Sequence, residues 1–358
     1  MILNSFKINS KGFGLDISDR SFKIANLKKR RSGFKLTSYE TFEIEPGVIK
    51  KGELKNKRKL TSLLREEKKK IKMNEVVVAL PEEKSFLKVI KTPKMPKKDL
   101  ESAIIYKAEE YIPMNIEDAY VDFEIIKPAY SEEDHMHVLL AALPKKIVDP
   151  YFKAVKKAGL KPIAFEVESL SICRALMEKD KVIPPTLIID FGLTKTSFII
   201  YSGRSLRFTQ TLPISSHQFT ESIAEKMDLN LEKAEKIKKE FGIKTSSKKG
   251  KKIKKSIKEI LDKLTKQTKE HIEFYSSYDF GEHFPPDMEK KIKKIILSGG
   301  GSNLKGLTGF LEERIKIPVK RGNPWINISK EPLLSKEKSI LYTSVLGLAL
   351  RNYIQSND

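Results

Sequence analysis

The chain has 358 residues, 39% of them hydrophobic and 17 of them proline, which is too long for one small core and too apolar for a disordered polymer. Its lone Cys173 excludes an internal disulfide framework and a cysteine-rich metal site. The charge of +22 points towards nucleic acid or anionic membrane, yet removing the seven lysines between 248 and 258 still leaves +15, and lysine without interleaved arginine or aromatics reads bases poorly.

The amino terminus MILNSFKINS lacks the apolar core of a secretory signal, and no run of about eighteen apolar residues occurs anywhere. The expectation is a soluble, intracellular chain that does not bind specific nucleic acid. FGLDIS (13–18) reads as an apolar strand with an aspartate near its end, followed by β-like SFKIANL (21–27) and FKLTSYETFEI (34–44). KLTSLLREEKKKIKM (59–73) has helical spacing, EVVVALP (75–81) is a short buried strand and SFLKVIKTP (85–93) alternates as a strand does. DLESAIIYKAEEYIP (99–113) is predicted helical, capped by Asp99 and stopped before Pro113, with Tyr106 and Tyr111 read as packing residues. AYVDFEIIKP and HMHVLLAALP look like paired strands, and 147–160 like a helix. His135 and His137 alternate there without a third ligand, so they read as surface residues.

LIIDFG (187–192) repeats the apolar strand with its aspartate, again followed by two β-like segments, SFIIYSG (197–203) and SLRFTQTLPI (205–214). Asp16 and Asp190 thus occupy equivalent places in two copies of one motif. A buried strand does not carry an aspartate unless something charged waits at its end, so two facing copies predict a cleft floored by paired carboxylates. Helical segments follow, with the lysine-rich stretch between them and a long helix expected over about 253–278. KKIILSGGG (293–301) is a strand entering a glycine turn, which SNLKGLTGFLEERI is expected to continue into a helix; the chain closes on the helix SILYTSVLGLALRNYI.

Three segments point to phosphate chemistry. Around Gly14-Leu-Asp16-Ile-Ser18 the hairpin amides and hydroxyls offer donors, and Lys23 a positive charge. In Asp190-Phe-Gly192-Leu-Thr194 the glycine lets a phosphate approach the backbone. Ser298-Gly299-Gly300-Gly301-Ser302 leads into a helix start with free amides. The spacing matches neither a Walker loop nor a GxGxxG fingerprint. The order of the three along the chain, closed by a small-residue helix, is the pattern of the actin-like ATPase superfamily.

Nearly the whole chain, about 11–352, resembles the PilM family of type IV pilus assembly proteins, relatives of the division protein FtsA. The likeness is carried by LPEEKSFLKVIKTPKMPKKDLESAIIYKAEEYIPMNIEDAYVDFEII, LIIDFGLTKTSFIIYSGRSL and SGGGSNLKGL. It implies an α/β, actin-like ATPase fold with duplicated ribonuclease-H-like lobes. The first lobe would span 11–83 plus 161–185, an FtsA-type inserted subdomain 84–160, the second lobe 186–215 plus 293–358 and a helical lysine-rich subdomain 216–292. It also implies ATP or ADP with Mg2+ in the interlobe cleft, Asp16 and Asp190 holding the metal through water. Ser18, Lys23, Gly192 and Thr194 would contact phosphates, Gly300, Gly301 and Ser302 the adenosine, and Glu168 would sit near the attacking water. The implied partner is the cytoplasmic N-terminal peptide of a PilN-like inner-membrane protein of the pilus complex, which places the chain indirectly at the membrane; self-association is open.

Where the family usually carries glycine this chain has Ser18, and Ser215-Ser216 replace a glycine pair. These side chains near the phosphates predict slow or absent hydrolysis, so an ATP-binding scaffold or switch is expected. The alternatives are a turnover ATPase or kinase, for which no base aspartate and sugar pocket stand out, and an FtsA-like filament-forming division protein. FtsA-like proteins usually end in an amphipathic helix, whereas this chain ends at NYIQSND.

Overall fold

A computed structural model describes residues 12–31, 33–72, 74–127, 135–244, 246–278, 288–328 and 334–354. Strands β1 (Phe13–Ile17), β2 (Ser21–Arg30) and β3 (Gly33–Glu43) form an antiparallel meander. After a short ladder of β4 (Ile49–Lys50) with β5 (Glu53–Leu54), helix α1 (Lys57–Ile71) starts where the Asn56 side chain accepts from the Lys59 amide at 3.0 Å. Strand β6 (Glu75–Leu80) then lies parallel to β1.

The chain leaves this sheet through β7 (Phe86–Pro93), α2 (Lys97–Tyr111), β8 (Ala119–Ile126) and β9 (His135–Pro144). These strands form a separate antiparallel sheet in the order β7-β9-β8, covered on one face by Leu100, Ile104 and Ala108 of α2. Asp99 lies inside the first turn of α2, whose cap is Pro96; it serves the helix through its charge near the dipole's positive end and not as the expected cap. His135 and His137 are buried and stack edge to face, ring centroids 5.1 Å apart, because strand alternation points both inward, contrary to their surface reading. Helix α3 (Lys145–Lys157) returns to pack with α1, and β10 (Lys161–Val167) completes the first sheet beside β6.

Helix α4 (Glu168–Leu176) leads to a second sheet that repeats the first. Strands β11 (Ile183–Phe191), β12 (Thr196–Gly203) and β13 (Ser205–Leu212) are its meander. Helices α5 (Ser216–Met227), α6 (Leu231–Phe241), α7 (Lys248–Ser256) and α8 (Lys258–Ser277) follow. The single helix expected from 253 onwards is broken at Ile257, which is buried at φ −102°, ψ 14°, so the lysine-rich stretch forms its own helix α7 on the buried Ile253. Strand β14 (Lys294–Ser298), helix α9 (Leu307–Ile315), strand β15 (Val319–Arg321), the short α10 (Lys336–Ser339) and α11 (Thr343–Ile354) complete the described residues.

The sheet orders are β10-β6-β1-β2-β3 and β15-β14-β11-β12-β13, the same topology twice. Each lobe's last helix lies on the other lobe. Ile172, Cys173 and Leu176 of α4 pack on Ile188, Ile199 and Leu206 of the second sheet, while Val345, Leu346 and Ala349 of α11 pack with Ala25 and Leu27 of the first. The two helices meet where a Cβ on Gly347 would stand 1.9 Å from the Ser171 carbonyl oxygen, so only glycine permits that approach. Among the described residues no helix is long and apolar enough to cross a membrane.

Candidate functional site

Strand alternation places both aspartates between the lobes. In β1, Leu15 and Ile17 enter the core shared with α1 and α3, which turns Gly14 and Asp16 to the opposite face. There α11 lies so close that a Cβ on Gly14 would stand 2.4 Å from the Val345 carbonyl oxygen. In β11, Leu187 and Ile189 enter the second lobe's core, while Ile188 and Asp190 face the side covered by α4. Both carboxylates end strands that have parallel neighbours, β6 and β14, the sheet edge where ligands of open α/β sheets gather.

The two carboxyls hold protons unusually well. Burial, with the Glu168 charge and Asp16 adding to it, pushes Asp190 up to about 7 against the opposing pull of Ser298 and Lys195. Burial also pushes Asp16 up to about 6, Glu168 again raising it while Lys23 and Lys195 lower it. Lys23 is the strand partner of Asp16, its Nζ 3.9 Å from Asp16 Oδ2. It therefore belongs to the cleft face and not to the outer surface.

The second cation is Lys195, on the turn between β11 and β12. Its Nζ lies 2.5 Å from Glu83 Oε2 and 3.0 Å from Glu168 Oε2. Glu83 follows β6 and Glu168 opens α4, so a second-lobe ammonium bridges two first-lobe carboxylates across the cleft. Those two carboxylates hold its proton above the ordinary lysine range, against the cost of burial.

The other expected residues are placed less uniformly. The Ser18 hydroxyl donates to the Ser21 carbonyl at 2.9 Å and its amide to the same oxygen at 2.8 Å, so it ties its own hairpin turn. Gly192 donates to the Lys195 carbonyl and accepts from the Ser216 amide; a Cβ there would stand 2.9 Å from the Lys195 oxygen. Thr194 is exposed on the same turn. The triple glycine does not enter a helix directly: Gly300–Asn303 is a 3-10 turn, and α9 starts only after Gly306 at φ +94°. Gly299 at φ +75° and Gly301 press against Phe191, while Ser302 donates its hydroxyl to the Gly299 carbonyl at 2.6 Å. A Cβ on Gly300 would stand 2.9 Å from the Leu341 side chain. Ser215 caps α5 in a reciprocal pair with Gln218.

Lys195, Glu83 and Glu166 were missed as site residues. Glu166, 1% exposed in β10, is held by Arg174 at 2.5 and 2.9 Å and by Arg351 at 2.7 Å, which ties β10, α4 and α11 together at the helix crossing. The signal for it lay in IAFEV, an apolar strand carrying one charge, as in FGLDI and LIIDF. Among the described residues no group of three or more His, Cys, Asp or Glu side chains is arranged to hold a metal ion.

Similar proteins have this architecture. The type IV pilus assembly protein PilM family model matches residues 14–353. A solved PilM-PilN type IV pilus biogenesis complex is 27% identical, with a TM-score of 0.77, 96% of this chain and 98% of that chain being covered. MreB5 of Spiroplasma citri bound to ADP shares the fold at 12% identity and a TM-score of 0.57, over 96% of this chain and 97% of its own. Cell division protein FtsA of Buchnera aphidicola is 25% identical over 55% of this chain and 50% of its own length, and that of Neisseria meningitidis 22% identical over 54% and 49%. The chain thus spans about half the length of these curated relatives. Two lobes of one topology, facing aspartates and a family match over almost the entire chain lead to one conclusion: the chain has an actin-like ATPase fold and belongs to the type IV pilus assembly protein PilM family.

Proposed function

We propose that the chain is an ATP- or ADP-binding scaffold of type IV pilus assembly. Its interlobe cleft takes the nucleotide with Mg2+, and its inserted subdomain docks the N-terminal cytoplasmic tail of a PilN-like inner-membrane protein. The observation that carries this reading is the pair Asp16 and Asp190, on matching strands of two repeated sheets, with Lys23 and Lys195 beside them.

Magnesium keeps several waters and takes one or two carboxylates together with phosphates. Two buried carboxyls with raised proton affinity suit such a hydrated ion. Asp16 and Asp190 would hold it; its charge would neutralise the phosphates. Lys23, Gly192 and Thr194 line the phosphate side, and Gly300 and Gly301 the adenosine side. The Ser18 and Ser302 hydroxyls are already committed to their own turns, so these two residues serve by holding loop shape. Glu168 would orient water for attack but is paired with Lys195. The Ser18 side chain, tied into its own turn where the family usually carries glycine, supports slow or absent hydrolysis.

MreB5 structures of this fold carry ADP and AMPPNP, and the related PilM is a complex with PilN, which support the nucleotide and the partner. Helix α2 leaves Ile105 57% and Tyr106 74% exposed, apolar surface on the inserted subdomain that a peptide would cover. The chain would then be cytoplasmic and reach the membrane through its partner. Calorimetry with Mg-ATP tests the reading: wild type binds, Asp16→Ala and Asp190→Ala do not while keeping wild-type circular dichroism, and Ile105→Ser with Tyr106→Ser weakens binding of the tail peptide. A folded wild type that ignores ATP would overturn the nucleotide part.

A further inference from the structure

We propose that Lys195 is a latch that reads the terminal phosphate: its ammonium bridges Glu83 and Glu168 and transfers to the terminal phosphate of a bound nucleoside triphosphate. The inference rests on the nucleotide reading and deepens it.

The geometry isolates the side chain as the moving part. The turn that carries Lys195 is pinned: Gly192 donates to the Lys195 carbonyl, the Ser216 amide donates to Gly192 and the His217 amide to Leu193. The side chain beyond that backbone is four methylenes long, 21% exposed, and held at its tip by its contacts with Glu83 and Glu168. Its partners are 19% and 16% exposed, so the pairs sit at the cleft wall, where an entering anion can compete for the ammonium.

Asp16, Asp190, Glu83 and Glu168 bring four carboxylates to the cleft against Lys23 and Lys195. Nucleotide phosphates add further negative charge, and Lys195 is the cation of that cluster contributed by the second lobe. A terminal phosphate carries more charge and more acceptor oxygens than a carboxylate. Once it takes the ammonium, Glu83 and Glu168 lose their cross-lobe partner and Glu168 is free to face solvent. A nucleoside diphosphate has no group at that position and leaves the latch closed. Lys195 therefore couples the presence of the third phosphate to the ionic bridge between lobes.

The test measures dissociation constants for a non-hydrolysable ATP analogue and for ADP, both with Mg2+. Removing one charge-assisted hydrogen bond from a complex weakens affinity by at least about tenfold. Lys195→Met is therefore expected to weaken the triphosphate by that factor and the diphosphate by much less, collapsing their ratio. Lys195→Arg should restore most of the ratio. Glu83→Gln removes a competitor without touching the lysine, and is expected to strengthen triphosphate binding. An unchanged ratio in Lys195→Met overturns the latch and leaves nucleotide binding standing, as does weaker triphosphate binding in Glu83→Gln. Equal weakening of both nucleotides in Lys195→Met also overturns it. A folded wild type that binds neither nucleotide overturns the latch and the nucleotide reading together.

Discussion

Glu82, next to the latch acid Glu83, is 4% exposed and takes the Ser169 amide on Oε2 at 3.0 Å. Its Oε1, with Ser169 Oγ and Thr209 Oγ1, is buried without a hydrogen-bond partner among the described residues. Burial raises its proton affinity, and the hydrogen bond from the Ser169 amide opposes this only in part. The sign follows from linkage. A carboxyl with a raised folded value keeps its proton in the folded chain where the unfolded chain has lost it. The stability it contributes is present at low pH and is lost as pH rises through that folded value. Glu82→Gln has no proton to lose, so it should gain on wild type between pH 5 and pH 8. Thermal melts at the two pH values check this; a constant difference would place the ionised form in the fold. Asp16 and Asp190 were legible because one charge in an apolar strand demands a reason. Glu82 and Lys195 were not, since acids and lysines in turns look solvated until the fold brings other chain segments onto them.

At the scale of elements, helix patterns announce a buried face but not its counterpart. The final helix was legible from its apolar run and its small residues. That α11 lies on the first sheet while α4 lies on the second was not, because an apolar stripe fits either sheet equally well. The 3-10 turn at Gly300–Asn303 escaped for a related reason: Gly299 and Gly301 are needed against Phe191, a meeting of segments far apart in sequence. The crossing gives its own prediction. Gly347→Ala places a methyl 1.9 Å from the Ser171 oxygen, next to the Ser171–Ser344 hydroxyl pair at 3.1 Å. Neither neighbour is a flexible side-chain end, so the helices must part, at about 2–3 kcal/mol as for other overpacked cores. Denaturant midpoints measure the loss, and Gly309→Ala, where nothing lies within 4 Å, is the control that should not lose stability.

For the whole molecule, the exchange of α4 and α11 makes the junction of the lobes a packed crossing and not a linker. At its centre Glu166 joins Arg174, which also donates to the Gly347 carbonyl at 3.0 Å, and Arg351. The arginines draw the Glu166 carboxyl below its ordinary value despite burial, which acts the other way. One carboxylate thus holds one arginine from each crossing helix. Glu166→Gln keeps the shape and removes the charge, leaving two arginines at the crossing with a neutral partner. Breaking a buried ionic group from one side costs about 3–5 kcal/mol, which for a chain of this length lowers the melting temperature by roughly 4–7 °C. Replacing all three members by apolar residues of similar volume leaves no charge behind and should cost far less. Calorimetric melts of wild type, Glu166→Gln and the apolar triple variant separate the cases. If the triad only fills space, the single variant melts like wild type; if it joins the lobes, the single variant melts lower and its transition broadens as the lobes uncouple.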